Sequence, residues 1–280
     1  MTLVLPAEQA DLERIAEIQL AAFQGSIINQ RIFGNVEPAD HRAQTVRRLT
    51  KALVEPANAL YKAVVGGHLV GFALWELPKH ADEQKEKDPN RWPVGTNVAL
   101  AEGFFGKLDL GVTEPHYHLS LLATDPAYQR TGAGSALLRW GCMRADDQGV
   151  DCYLEASAVG ISVYRRAQFD TFGDPIVAKD DPDLILYPMR RPALTLSSAN
   201  AADLPHLAPI QRLAFGPTRI NQYCYADVPP AAYEAHFTKR FGKFLDQRDN
   251  EGARFLVSVV KRGGKYLAFA FSSFEPDVKD

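Results

Sequence analysis

The stretch Gln129-Arg-Thr-Gly-Ala-Gly134 joins a β-rich run, Tyr117-His-Leu-Ser-Leu-Leu-Ala123, to a segment of helical apolar spacing, Ser135 to Gln148. Glycines directly ahead of a helix leave backbone N–H groups unpaired at the positive end of the helix dipole, where phosphates bind. A Cβ at position 132 or 134 would hold a pyrophosphate away from the backbone, and Gln129 and Arg130 add side-chain donors. The spacing is neither G-x-G-x-x-G nor G-x-x-x-x-G-K-[ST], which disfavours a dinucleotide site or a P-loop ATPase. Titratable groups surround the same strand: His116 and His118 on it, Glu76 at the end of an earlier β-rich run and Glu155 in a later one. The two histidines share a strand face, but no third ligand accompanies them, so no metal is expected.

Periodicity supplies the elements that must position these groups. Leu3-Val4-Leu5 is a short strand, and Ala10 to Phe23 is a helix with Leu12, Ile15, Ile18, Ala22 and Phe23 on one side. A second helix follows Pro38, and Leu60 to Val65 and His68 to Trp75 are strands joined by the hairpin signal Gly66-Gly67. Lys79 to Pro115 is expected to form a lid or insertion over a pocket, or else a solvated surface excursion. After the glycine loop and its helix come a strand over Val150 to Ala156, a short helix over Val159 to Gln168 and a last strand, Ile185-Leu-Tyr187. Strict alternation puts His118, Ser120 and Leu122 on one face.

The chain has 280 residues, 46% of them hydrophobic, with 31 Lys and Arg against 34 Asp and Glu, which excludes disordered, collagen-like and coiled-coil architectures. No apolar run approaches the ~18 residues of a membrane span, and Met1 to Pro6 lacks a signal-peptide layout, so the expected address is cytoplasmic. A net charge of -3 argues against nucleic acid or an anionic membrane as the main partner. Cys142, Cys152 and Cys224 cannot form a fully paired framework and read as reduced packing residues.

The charge is unevenly placed: 18 basic and 25 acidic residues precede Arg190, and 13 basic and 9 acidic residues follow from it onward. Tyr187-Pro-Met-Arg-Arg-Pro192, two prolines around a basic pair, is the expected linker, which gives domains 1–190 and 191–280. A shift of 192 residues aligns Ala10-Asp11-Leu12 with Ala202-Asp203-Leu204, Ala22-Phe23 with Ala214-Phe215 and Ile28-Asn29-Gln30 with Ile220-Asn221-Gln222. Helical spacing repeats residue classes, whereas identities at one fixed offset without a gap point to duplication. The copy runs out at Phe274-Glu275-Pro276, read as the counterpart of Trp75-Glu76-Leu77-Pro78.

With its neighbourhood, the loop resembles the acyl-CoA loop of the GNAT N-acetyltransferase superfamily, [Q/R]-x-x-G-x-[G/A], whose three defined positions are filled by Gln129, Gly132 and Gly134. Leu121-Leu-Ala-Thr-Asp-Pro126 resembles the family's bulged strand, Val163-Tyr-Arg-Arg-Ala-Gln-Phe169 its helix end, and Leu154-Glu-Ala-Ser157 the wording of fungal members. Ser157 and Gln168 depart from the asparagine and glycine usual there. Over residues 2–190 the resemblance implies an α/β fold with a mixed sheet and N-acetyl transfer from acetyl-CoA, or another acyl-CoA, as cosubstrate. The acceptor would be the amine of a small molecule or peptide. It also implies that backbone groups of Leu122 and Thr124 bind the pantetheine arm. Arg130, Thr131, Gly132, Ala133, Gly134 and Ser135 would wrap the pyrophosphate with Gln129 beside them, and Tyr164 would protonate the departing thiolate.

Such transfer needs an unprotonated amine, because an alkyl ammonium of pKa about 10.4 has no lone pair to attack with. His118, Glu76 and Glu155 are the candidate bases, direct or through water. The second half repeats strand, helix, helix, strand, strand and lacks the bulged strand and loop, so a truncated GNAT-like repeat that cannot bind acyl-CoA is expected. It would wall the acceptor pocket or form a homodimer contact, with Asn221 to Tyr225 packed inside or else lining the substrate cleft. The alternatives are a non-catalytic acyl-CoA binder or scaffold, and the same fold recruited to another reaction on a small metabolite.

Overall fold

The computed structural model describes residues 1–78, 90–108, 111–251 and 255–273. The chain divides into two compact units, Met1–Ala193 and Leu194–Asp280.

The first unit runs β1 (Thr2–Pro6), α1 (Leu12–Phe23), α2 (Ile27–Phe33), α3 (Pro38–Val54), β2 (Asn58–Val65), β3 (His68–Glu76), α4 (Val98–Phe105) and β4 (His116–Thr124). It continues with α5 (Ala133–Gln148), β5 (Asp151–Ala156), α6 (Ile161–Arg166), β6 (Asp170–Thr171), β7 (Ile176–Val177) and β8 (Ile185–Arg191). The strands hydrogen-bond in the order β1-β2-β3-β4-β5-β8-β6, with β7 on β8, and the β4–β5 pair is parallel. On one face, α1 and α3 bury Leu12, Ile15, Ile18 and Leu49 against Leu60, Phe72 and Leu74. On the other, α5 buries Leu137, Leu138 and Ala145 against Trp75, Tyr117, Leu119 and Leu154. A mixed sheet with apolar helix stripes on both sides is thus the architecture. Gly141 lets α5 lie directly on Trp75, since a Cβ there would come within 2.2 Å of the indole.

Several sequence expectations need correction. Tyr187 to Pro192 is not a linker: most of it is β8, paired with β5, where Arg190 Nε donates to Asp151 at 2.6 Å and buried Arg191 donates to both oxygens of Asp146 at 2.9 and 2.7 Å. These ion pairs, with partners distant in the chain, override the prolines' local preference. The expected lid contains α4, whose Ala101 and Phe104 pack with Ile32, Ile176 and Leu186, while 79–89 and 109–110 lie outside the described residues. Strict alternation on β4 also fails. Leu74 pairs with Leu121 and Trp75 with Leu119, so Ser120 is an extra residue, a bulge. The bulge inverts the phase: Leu121 and Ala123 join the α1–α3 core, and Leu122 faces the α5 core, opposite His118.

The second unit contains β9 (Leu194–Ser198), α7 (Leu204–Phe215), α8 (Arg219–Tyr225), α9 (Pro230–Glu251), β10 (Phe255–Arg262) and β11 (Lys265–Ser273), with an antiparallel sheet ordered β11-β10-β9. Its core joins Leu204, Leu207, Phe237, Phe241 and Leu245 to Val257 and Val259. β9, α7, α8 and α9 begin 192 residues after β1, α1, α2 and α3, and the hairpin strands end 197 after β2 and β3. The local devices correspond as well. Ser26 Oγ accepts from Asn29 N, and Thr218 Oγ1 accepts from Asn221 N. Both hairpins turn on two positive-φ glycines, 66–67 and 263–264, and both shift register next to the turn, at Ala63/Val64 and Val260/Lys261. The offset is therefore not fixed. It changes by five within the longer α9, and Ser272, not Phe274, stands at Trp75's register position; residues 274–276 lie outside the described residues. Asn221 to Tyr225 are not inside their unit either: α8 has no buried residue and Tyr223 is 92% exposed.

Candidate active site

β4 and β5 pair only from His116–Asp151 to His118–Tyr153, after which β4 continues to Thr124 and β5 to Ala156 without bonding each other. The strands part into a cleft whose backbone groups are open to a ligand. At the far end of β4, Asp125 N donates to Val70 O at 2.8 Å, and its carboxylate accepts from Ala127 N at 2.9 Å and pairs with Arg14. Arg130, at φ 64°, and Gly132, at φ 90°, then turn the chain into α5. Gly132 is the N-cap and no side chain caps α5, so the first-turn N–H groups of Ala133, Gly134 and Ser135 are left for an anion. No atom lies within 4 Å of where a Gly132 Cβ would stand, and a Gly134 Cβ would sit 3.3 Å from Thr124 Oγ1. This open cradle fits a pyrophosphate.

At the closed end of the cleft, His118 Nε2 lies 2.9 and 3.2 Å from the two oxygens of Glu155, whose side chain is 6% exposed. His118 Nδ1 is 3.8 Å from Glu76 Oε1, and the Ser120 hydroxyl, delivered by the bulge, donates to the same oxygen at 2.7 Å. Burial opposes charge on His118, but the two carboxylates outweigh it and raise its pKa to about 9. At neutral pH the ring is an imidazolium without a lone pair. Tyr164 projects from α6 beside Gly160, where a Cβ would meet its ring at 3.1 Å. Burial first, and then the Glu155 charge, push its phenol up to about 12.

The structure thus brings Glu76, His118 and Glu155 together, couples Tyr164 to Glu155, and sets Thr124 beside the glycine loop. Leu122 lines the same stretch of β4 but faces α5. His116 turns elsewhere, its Nδ1 2.8 Å from Glu114 O and its ring edge-on to Tyr153. Sequence reasoning did not give Ser120 its place on Glu76. The signal was the adjacent pair Leu121-Leu122, which breaks the period of two. Among the described residues no group of three or more His, Cys, Asp or Glu could hold a metal, and no helix is long and apolar enough to cross a membrane.

The family model for the acetyltransferase (GNAT) family matches residues 14–169, more than half of the sequence. The chain belongs to that family and is an acetyltransferase. An uncharacterized N-acetyltransferase of Schizosaccharomyces pombe is 23% identical over 189 residues, covering 59% of this chain and 80% of the relative. Among solved structures, a protein described as histone acetyltransferase HPA2 and related acetyltransferase, from Corynebacterium glutamicum, is 26% identical, with TM-score 0.49 over 69% of this chain and 96% of that one. The ribosomal-protein-S18-alanine N-acetyltransferase of Escherichia coli is 18% identical, with TM-score 0.41 over 69% of this chain and 94% of that one.

Proposed function

We propose that the first unit transfers the acetyl group of acetyl-CoA to the amine of a small molecule or peptide by direct attack, with Glu76 taking the amine's proton. The observation that carries this reading is one cleft with a phosphate cradle at its open end and the Glu76–His118–Glu155 cluster at its closed end. The pyrophosphate would be held by the N–H groups of Ala133, Gly134 and Ser135, with Gln129, Arg130 and Thr131 around it and Gly132 leaving room. The pantetheine arm would use backbone groups of Leu122 and Thr124 that the β4–β5 gap leaves available.

Protonation states divide the work. His118 holds its proton below about pH 9, so it has no lone pair to take the amine's proton and leaves that step to Glu76 beside it. Tyr164, at about 12, is a permanent hydrogen-bond donor. A thiol has a pKa of about 8.5, so full transfer from such a phenol is uphill, and Tyr164 stabilises the leaving thiolate through its hydrogen bond. The second unit reads as a partial copy of β1 through β3, with no counterpart of β4 or α5 among the described residues.

Titration calorimetry with acetyl-CoA and free CoA tests the cosubstrate site. Saturable binding by the intact chain, abolished by the double variant Gly132→Glu and Gly134→Glu, is expected. Absence of binding by the intact chain would sink the transferase reading.

A further inference from the structure

Four residues stand directly opposite one another across four strands: Glu76 pairs with His118, His118 with Tyr153, and Tyr153 with Arg190. Cross-strand partners project to one face, here the face away from α5. Three strand spacings make the row about 14 Å long. Its far end is a built recess. Arg190 Nε is pinned by one Asp151 oxygen at 2.6 Å, while the other accepts Ala193 N at 3.0 Å. Asp151 is thereby engaged on both sides, and the terminal guanidinium nitrogens of Arg190 keep no hydrogen-bond partner among the described residues. The guanidinium stands 6.0 Å over the Tyr153 ring and 5.9 Å over that of Phe172. Together with His116, Glu114 and Asp151 these residues line a cavity of about 570 Å³.

We infer that this recess is the acceptor's second anchor and that it takes a carboxylate, so that the acceptor is an amine bearing a carboxylate up to about 14 Å away, as in a short peptide or an ω-amino acid. This rests on the transfer reading above. A planar guanidinium fixed at Nε presents its remaining donors as a fork that matches a carboxylate's two oxygens. A second cation is disfavoured because Arg190 already covers the ring faces. Glu114, exposed and already attracted to Arg190, repels any anion, and a doubly charged phosphate about twice as strongly as a singly charged carboxylate, which makes the carboxylate the better match.

The test uses the full chain and acceptors long enough to span the row: 11-aminoundecanoic acid against its amide, and a tetrapeptide against its C-terminal amide, with thiol release as the readout. A kcat/KM preference of roughly 10- to 100-fold for the acids is expected, the range of a hydrogen bond to a charged group. Arg190→Gln should bring the ratio near one, and Arg190→Lys, which keeps the charge beside Asp151 and loses the fork, should lower it several-fold. Melting temperature and acetyl-CoA affinity report folding. Equal rates for acids and amides in the native chain overturn the carboxylate anchor and leave transfer standing. No thiol release from any amine overturns the transfer reading, and this inference with it.

Discussion

His118 Nε2 meets both oxygens of the Glu155 carboxylate, at 2.9 and 3.2 Å, inside a cleft that excludes most water from the pair. The folded pKa of about 9 lies above the ordinary histidine value of 6.5. Stabilisation by the charged ring is therefore complete below about pH 6.5 and lost as pH rises through about 9. Thermal denaturation across this window should show a larger fall in melting temperature for the native chain than for His118→Gln. Parallel curves would show that the ring is not charged in the fold.

Glu76→Gln removes the proton acceptor while keeping an oxygen for the Ser120 hydroxyl. A loss in kcat of about 10²- to 10⁴-fold is expected, with acetyl-CoA affinity retained. Steady-state kinetics beside calorimetry decides it, and an unchanged kcat would move the base elsewhere.

Tyr164→Phe deletes one donor to the thiolate and should cost on the order of 10²-fold in kcat. Because the phenol titrates near 12, no limb of the native pH–rate profile below pH 10 should disappear in the variant. A limb that does vanish would show that Tyr164 ionises in the working range.

Gln168 follows the α6 turn at φ 69°, a left-handed conformation that a side chain strains. Gln168→Gly should stabilise the chain by about 1 kcal/mol, because glycine adopts that conformation freely. Chemical denaturation would read the gain, and a loss would contradict the strain.

Gly141→Ala drives a methyl into the Trp75 indole, and a destabilisation of about 3 kcal/mol is expected. Trp75→Leu should be less costly in that background than alone, since each change relieves the other. Additive melting shifts would rule out the contact.

The legible parts of the molecule were those fixed by local chemistry. Gly132 announced the turn into a phosphate cradle, and Gly66-Gly67 a hairpin, because glycine takes positive φ readily, while Gly134 keeps the first helical turn clear beside Thr124. What escaped depended on distant chain. Pro188 lies in a strand because Asp151 and Asp146 hold the arginines that follow it, and no local rule contains that. Ser120 reaches Glu76 because β3 and β4 disagree by one residue, a relation of two strands rather than of one. Glu76, His118, Glu155 and Tyr164 could each be named in advance. Their mutual protonation could not, because it arises from burial and contact together.

α9 has 22 residues where α3 has 17. Its buried Phe237, Phe241 and Leu245 still stand 192 positions after Thr45, Leu49 and Leu53, so the added length lies beyond Leu245. Each helical residue advances the azimuth by about 100°, and five inserted upstream would have swung the packed stripe about 140° off the sheet. Placed downstream, they extend the rod by about 7.5 Å and leave the stripe in phase. The hairpin then resumes its own pairing, because its glycine pair and bulge carry that information internally. Length and phase are thus decoupled at the one end of the helix where a change of either is silent.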